Sequence, residues 1–197
     1  MFPKLNPVEV IQHDPPRIEH IRPYVPVLLD AMGPASELIS LWDWAGCGCV
    51  ETGWGYGSDF HPKGDPFGYG DGGHGFGLWQ LDDRSESDRI AAVMTVLRRG
   101  DHAGALRQLA LQNLAVALEK RAYHVSSRRP QPLAGEVLRK ATWSAYNAGQ
   151  VRTYQLAVAG LDSDAVTAHG CYGALVIAYS DEIRRLAPDL FGPEAVP

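Results

Sequence analysis

Glu51, Asp71 and Asp82 are the residues whose types and spacing suit chemistry. Glu51 closes an apolar run ending Cys49-Val50-Glu51-Thr52-Gly53. The two aspartates bracket a glycine-dense stretch, Asp71-Gly72-Gly73-His74-Gly75-Phe76-Gly77-Leu78-Trp79-Gln80-Leu81-Asp82. A carboxyl group at the end of an apolar helix is desolvated, which raises its pKa and keeps a proton available near neutrality. A second carboxylate about 6.5–9.5 Å away across a groove leaves room for a water molecule. Such a set can protonate the oxygen bridging two sugars and steer water onto the sugar carbon. The plain alternative for Glu51 is a solvated helix-end glutamate. For Asp71, ahead of two glycines, and for Asp82 it is a turn cap. Asp83, next to Asp82, is expected to face solvent, because adjacent strand residues point to opposite faces.

The elements that must hold these groups follow from periodicity. Residues 1–15 are rich in proline and polar groups and read as a surface arm. Asp14-Pro15-Pro16 looks like a helix start, with Ile18, Ile21, Val25, Leu28, Leu29 and Met32 at helical spacing and Pro23 and Pro26 dividing the segment. Gly33-Pro34 breaks the chain. A helix apolar on all sides, hence central and buried, is predicted over 35–50, with Glu51 at its far end. Residues 52–77 hold about half of the glycines together with Trp54, Tyr56, Phe60, Phe67 and Tyr69, an ordered loop rather than a tether. Residues 75–81 read as a strand, one arm of a small flap. Helical patterns follow around 90–97 and 106–118, then a break at Arg128-Arg129-Pro130, then helices at 133–147, 151–158 and 172–186. The expectation is one α+β, mostly helical domain over 16–190 with a small β-flap inserted among helices, and a tail at 191–197.

Composition bounds the function. The chain has 197 residues, 45% of them hydrophobic and 21% charged, which suits a single globular core. A formal charge of -5 argues against a nucleic-acid partner, and no apolar run approaches the length for membrane insertion. Three cysteines suggest no disulfide framework, and reduced, mostly buried thiols are expected. Cys47 and Cys49 point to different helix faces, so a bridge between them is awkward. Met1-Phe2-Pro3-Lys4-Leu5-Asn6-Pro7 lacks the basic start and apolar core of a secretory signal.

Three blocks of the sequence resemble a known family. Glu51-Thr52, the segment Gly70–Asp82, and Trp143-Ser144-Ala145-Tyr146-Asn147-Ala148-Gly149 look like goose-type lysozymes and the related lytic transglycosylases, in the family's order and over about half of the chain. Tyr172, opening the last helix, matches a further family position. The resemblance implies a lysozyme-like fold acting on peptidoglycan glycan strands, with Glu51 as general acid and Asp71 and Asp82 positioning water. The reaction so implied is inverting hydrolysis of the β-1,4 bond between N-acetylmuramic acid and N-acetylglucosamine, with neither cofactor nor metal. Gln80, Tyr146, Asn147 and Tyr172 match positions lining the cleft. Gly75 is expected to let backbone approach a sugar ring, and Phe76 either to fill the flap or to stack on a sugar.

The departures from the family are Thr52 in place of the usual serine, a longer loop from Glu51 to Asp71, a shorter one after Gly149, and Glu86 where a histidine is common. The longer loop leaves open that Asp59 or Asp65 stands in for Asp71. A lytic transglycosylase giving 1,6-anhydro products and a non-catalytic glycan-binding module of a phage or injection particle remain alternatives. A metal-dependent hydrolase using His61 and His74 matches no familiar ligand spacing. Without an export signal, the expected route is synthesis in the cytoplasm and access to the wall after lysis, injection or other non-classical release, alongside phage or secretion-device components.

Overall fold

The computed structural model describes residues 5–192. Proline at the first helical position and the Asn6 side chain accepting the Val8 amide start a short helix, α1 (Pro7–His13), so the predicted arm is helical there rather than extended. It lies against the last helix of the chain. The proline-divided segment forms α2 (Ile18–Ile21), a 3-10 turn (Arg22–Tyr24) and α3 (Val25–Met32). A further 3-10 turn over Gly33–Glu37 delays the central helix, and α4 runs over Leu41–Thr52. Its start lies later than the periodicity suggested because Ser40 is the cap, its hydroxyl accepting the Trp42 amide. Gly53, in the left-handed conformation, stops the helix. Glu51 therefore sits within the last turn.

The predicted single strand over 75–81 is two strands. β1 (Tyr69–Gly70), β2 (Gly75–Phe76) and β3 (Leu81–Asp82) form an antiparallel sheet in the order β1-β2-β3, with Tyr69 opposite Phe76 and Gly75 opposite Asp82. Gly77 and Gln80, both at positive φ, turn the chain between β2 and β3 and interrupt the expected alternation. The remaining helices are α5 (Ser87–Leu97), α6 (His102–Val125), α7 (Gly135–Ala148), α8 (Gln150–Val158) and α9 (Tyr172–Leu186). No helix among the described residues is long and apolar enough to cross a membrane.

One hydrophobic core takes in α4, the flap and α9, with Trp44, Trp54, Trp79 and Trp143 all buried in it. Phe191, where the tail was expected to begin, packs edge-on against Trp42 at 4.8 Å. Helix α4 is buried along most of its length, as its apolar composition requires. Its closest partner is α9, and Gly46 marks the crossing. A Cβ there would stand 2.4 Å from the Val176 carbonyl oxygen, a distance only hydrogen can fill. Asp43, one turn earlier, is buried and accepts from Arg139 Nε (2.9 Å), Arg139 Nη2 (2.6 Å) and Trp143 Nε1 (3.4 Å), tying α4 to α7. Helices α9 and α7 are thereby both fixed to the helix that bears Glu51.

Candidate active site

Glu51 is half-buried, and its Oε1 accepts a hydrogen bond from the phenol of Tyr172, the first residue of α9. The Cys47 thiol, one turn back on α4, lies 3.6 Å from the same phenol oxygen. Tyr146 stacks parallel to Tyr172 with ring centroids 6.4 Å apart. Desolvation drives the Glu51 carboxyl up to about 8, the Tyr172 hydrogen bond opposes the shift, and the negative charges of Asp71 and Asp59 add to it. Burial likewise pushes both phenols well above their ordinary range, so they remain donors at any physiological pH. A carboxylic acid that keeps its proton at pH 7 beside fixed donors has the properties of a general acid.

The flap is anchored to this centre by two successive carbonyl groups. The Thr52 hydroxyl donates to the Leu78 carbonyl (2.7 Å), and the Tyr146 phenol donates to the Trp79 carbonyl (2.8 Å). Thr52 also accepts from the Gly55 amide (3.1 Å), so one hydroxyl fastens the flap and the turn after α4 together. Immediately beyond Trp79, Gln80 adopts a left-handed conformation (φ 51°), costly for a residue with a side chain. Its amide group donates to the Gly77 carbonyl (3.0 Å) and lies across β1 and β2. A Cβ on Gly75 would come within 2.1 Å of Gln80 Oε1, and one on Gly70 within 2.5 Å. The glycines of the flap thus make room for Gln80.

That arrangement corrects several expectations. Gly75 is buried beneath Gln80 and offers no free face to a sugar. Phe76 is fully buried, its ring 5.3 Å from that of Tyr69, and fills the flap instead of stacking on a ligand. Asn147 is exposed, but its Oδ1 accepts the Ala168 amide (2.9 Å), so it fastens the loop before α9. Gln80 makes its contacts within the flap, whereas Tyr172 and Tyr146 hold the acid and the flap rather than merely line a cleft.

The aspartates are placed less symmetrically than expected. Asp71 and Asp82 both lie on the flap, and both are paired with Arg84, which sequence reasoning missed. Arg84 Nη2 stands 3.2 Å from Asp71 Oδ2 and 2.7 Å from Asp82 Oδ2, and Arg84 Nε 2.8 Å from Asp82 Oδ1. All three side chains are well exposed. The Arg84 guanidinium holds the Asp82 carboxyl below its ordinary range. Of this pair, Asp71 acts on the Glu51 charge, and the other carboxylate that does so is Asp59, on the longer loop. Asp65 instead caps a turn, accepting the Phe67 amide at 2.9 Å. Asp83 is exposed and meets His74 Nδ1 at 3.0 Å. Glu86 is half-buried and accepts from Arg89 Nε at 2.7 Å.

A second residue invisible to motif reading is Asp164. It is fully buried in the 3-10 turn Ser163–Val166, and its Oδ1 accepts from the Gly173 amide (2.7 Å) and the Ser144 hydroxyl (2.8 Å) while Oδ2 accepts from the Ala174 amide (2.9 Å). With the Thr167 hydroxyl, which accepts the Tyr172 amide (3.2 Å), it caps the N-terminus of α9, where Cys171 makes no side-chain cap bond. Tyr172 is therefore aimed at Glu51 from a helix end fixed by a buried carboxylate.

The phenol's role is testable through pH. Tyr172→Phe removes a donor that stabilises ionised Glu51, so the carboxyl should titrate still higher than about 8. On bacterial cell walls the alkaline limb of the activity profile is expected to move upward, while kcat falls about tenfold as the acid loses its orientation. A limb moving downward would show that the phenol does not stabilise the carboxylate. No family model matches the sequence, and no curated protein matches it.

Proposed function

We propose that this chain is a peptidoglycan hydrolase with a lysozyme-like arrangement of helices and flap, cleaving the β-1,4 bond between N-acetylmuramic acid and N-acetylglucosamine. The observation that carries the reading is a half-buried Glu51 whose pKa is raised to about 8 while a phenol holds its carboxyl in place. Protonated Glu51 gives its proton to the glycosidic oxygen as the bond from that oxygen to the sugar carbon breaks. Water attacks the carbon from the opposite face, and its proton passes to a flap carboxylate, which inverts the configuration. Asp71 is the member of the predicted pair assigned this role, since its charge, like that of Asp59, raises the Glu51 pKa. Arg84 keeps that carboxylate company and must yield for it to accept a proton. The substrate is an aminosugar polymer, and delivery to the wall follows lysis or injection.

The Arg84 pairing also favours a second reading. With both flap aspartates engaged by one guanidinium, the muramic acid 6-hydroxyl can replace water once Glu51 has protonated the glycosidic oxygen and that bond breaks. Its oxygen bonds to the anomeric carbon, its proton goes to ionised Glu51, and a 1,6-anhydro sugar is released. Mass spectra of digested cell wall separate the outcomes, since the hydrolytic product is heavier by one water. Hydrated fragments are expected, a purely anhydro ladder would select the second reading, and an undigested wall would remove both.

A further inference from the structure

The root of the flap is more heavily engineered than the flap itself. Its two anchoring carbonyls, Leu78 and Trp79, receive hydroxyls from Thr52 and Tyr146. Thr52 is oriented by the turn after its helix, its Oγ accepting the Gly55 amide at 3.1 Å. Tyr146 needs outside help, and it comes from Asn113 in the middle of α6. Asn113 is completely buried. Its Oδ1 accepts from Trp44 Nε1 (2.6 Å), and its Nδ2 donates to the Tyr146 phenol oxygen. Because the phenol accepts from Asn113, its own proton is directed to the Trp79 carbonyl. Trp44 lies seven residues, two helical turns, before Glu51 and so on the same side of α4. Its ring stacks on Trp79 at 5.4 Å.

We propose that Asn113 is a positioning residue that sets the flap relative to Glu51, by linking Trp44 of α4 through Tyr146 of α7 to the Trp79 carbonyl. A planar amide suits this place because it offers an acceptor and a donor in fixed directions, satisfying one partner on each side. An aliphatic side chain can do neither. What this does for catalysis rests on the hydrolase reading above; the mechanical link does not.

The test is hydrogen exchange read amide by amide in the full chain. The flap provides reporters: the Tyr69 amide donates to His61 (2.7 Å), Gly77 to Gly68 (2.8 Å) and Asp83 to His74 (2.9 Å). In Asn113→Leu these amides are expected to exchange about tenfold faster or more, while those of α7 and α9 keep their protection. Tyr146→Phe, which keeps the ring and removes only the hydroxyl, should show the same pattern and provides the test should the leucine variant not fold. The double variant should be no worse than either single one, since both break one path. Flap exchange that stays unchanged, or rises equally with every helix, overturns the proposal. On cell walls the same variants should lose kcat more than they raise KM. A wild-type protein without wall activity refutes the hydrolase reading, while the exchange data still decide the link.

Discussion

Glu51→Gln is expected to lose activity on bacterial cell walls by about two to four orders of magnitude, the range typical of removing a general acid. The amide keeps the shape and can still accept from Tyr172, but has no proton to give. The same variant should be more stable than the wild type at pH 8. Glu51 has a folded-state pKa raised to about 8 from an ordinary 4.5. Between those values the unfolded chain releases the proton and the folded chain retains it, so the ionisation favours unfolding increasingly as pH rises. The stability associated with Glu51 is thus complete below about 4.5 and lost as pH climbs toward 8. Glutamine removes that dependence. A gain of a few kcal/mol, worth several degrees in Tm, is expected at pH 8 and none at pH 4. Wall-clearing assays and melting curves at both pH values check it. An inactive variant that melts lower than wild type at pH 8 would mean that ionised Glu51 stabilises the fold, contrary to an acid strained for catalysis.

Asp164→Ala should be the most damaging single change outside the acid. It strands the buried amide of Gly173 and the half-buried amide of Ala174 and removes the carboxylate facing the N-terminus of α9. At about 1–3 kcal/mol for each abandoned donor, the loss is expected to be around 3 kcal/mol, or roughly 10 °C in Tm. Activity should fall as well at temperatures where the variant is folded, because Tyr172 is the next residue N-terminal to those amides and its aim depends on them. Asp164→Asn retains one good acceptor and should forfeit about half as much. Calorimetry with a wall assay at 20 °C distinguishes this from a site of no consequence, in which both variants would melt as the wild type does.

Much of this architecture was legible beforehand because it depends on local chemistry. Prolines at 23 and 26 divided the second helical segment, and α9 has the bounds its pattern predicted. The place of Glu51 near the end of a buried helix could be read from the apolar residues before it. The flap resisted because its register is set by tertiary contacts: a left-handed Gln80 folded over two glycines defeats an alternation rule. Residue type alone pointed to Glu51, whereas Tyr172 came only through the resemblance, as a lining position, and its hydrogen bond to the carboxyl was not readable. The site was illegible where a role comes from a partner far along the chain. Asn113, Asp164 and Arg84 belong to no motif, and each derives its importance from atoms 9 to 69 positions away. A hint for Arg84 was available, since one cation following three aspartates within thirteen residues must find company among them.

The contact between Gly46 and Val176 has a consequence for how this protein can vary. Where two rods touch through main chain alone, their separation is a rigid dimension, indifferent to which neighbouring side chains come and go. The gap bridged by the phenol inherits that gauge. Drift elsewhere in the interior can be absorbed by repacking, whereas a single methyl inserted at the crossing acts as a shim, prying acid and phenol apart.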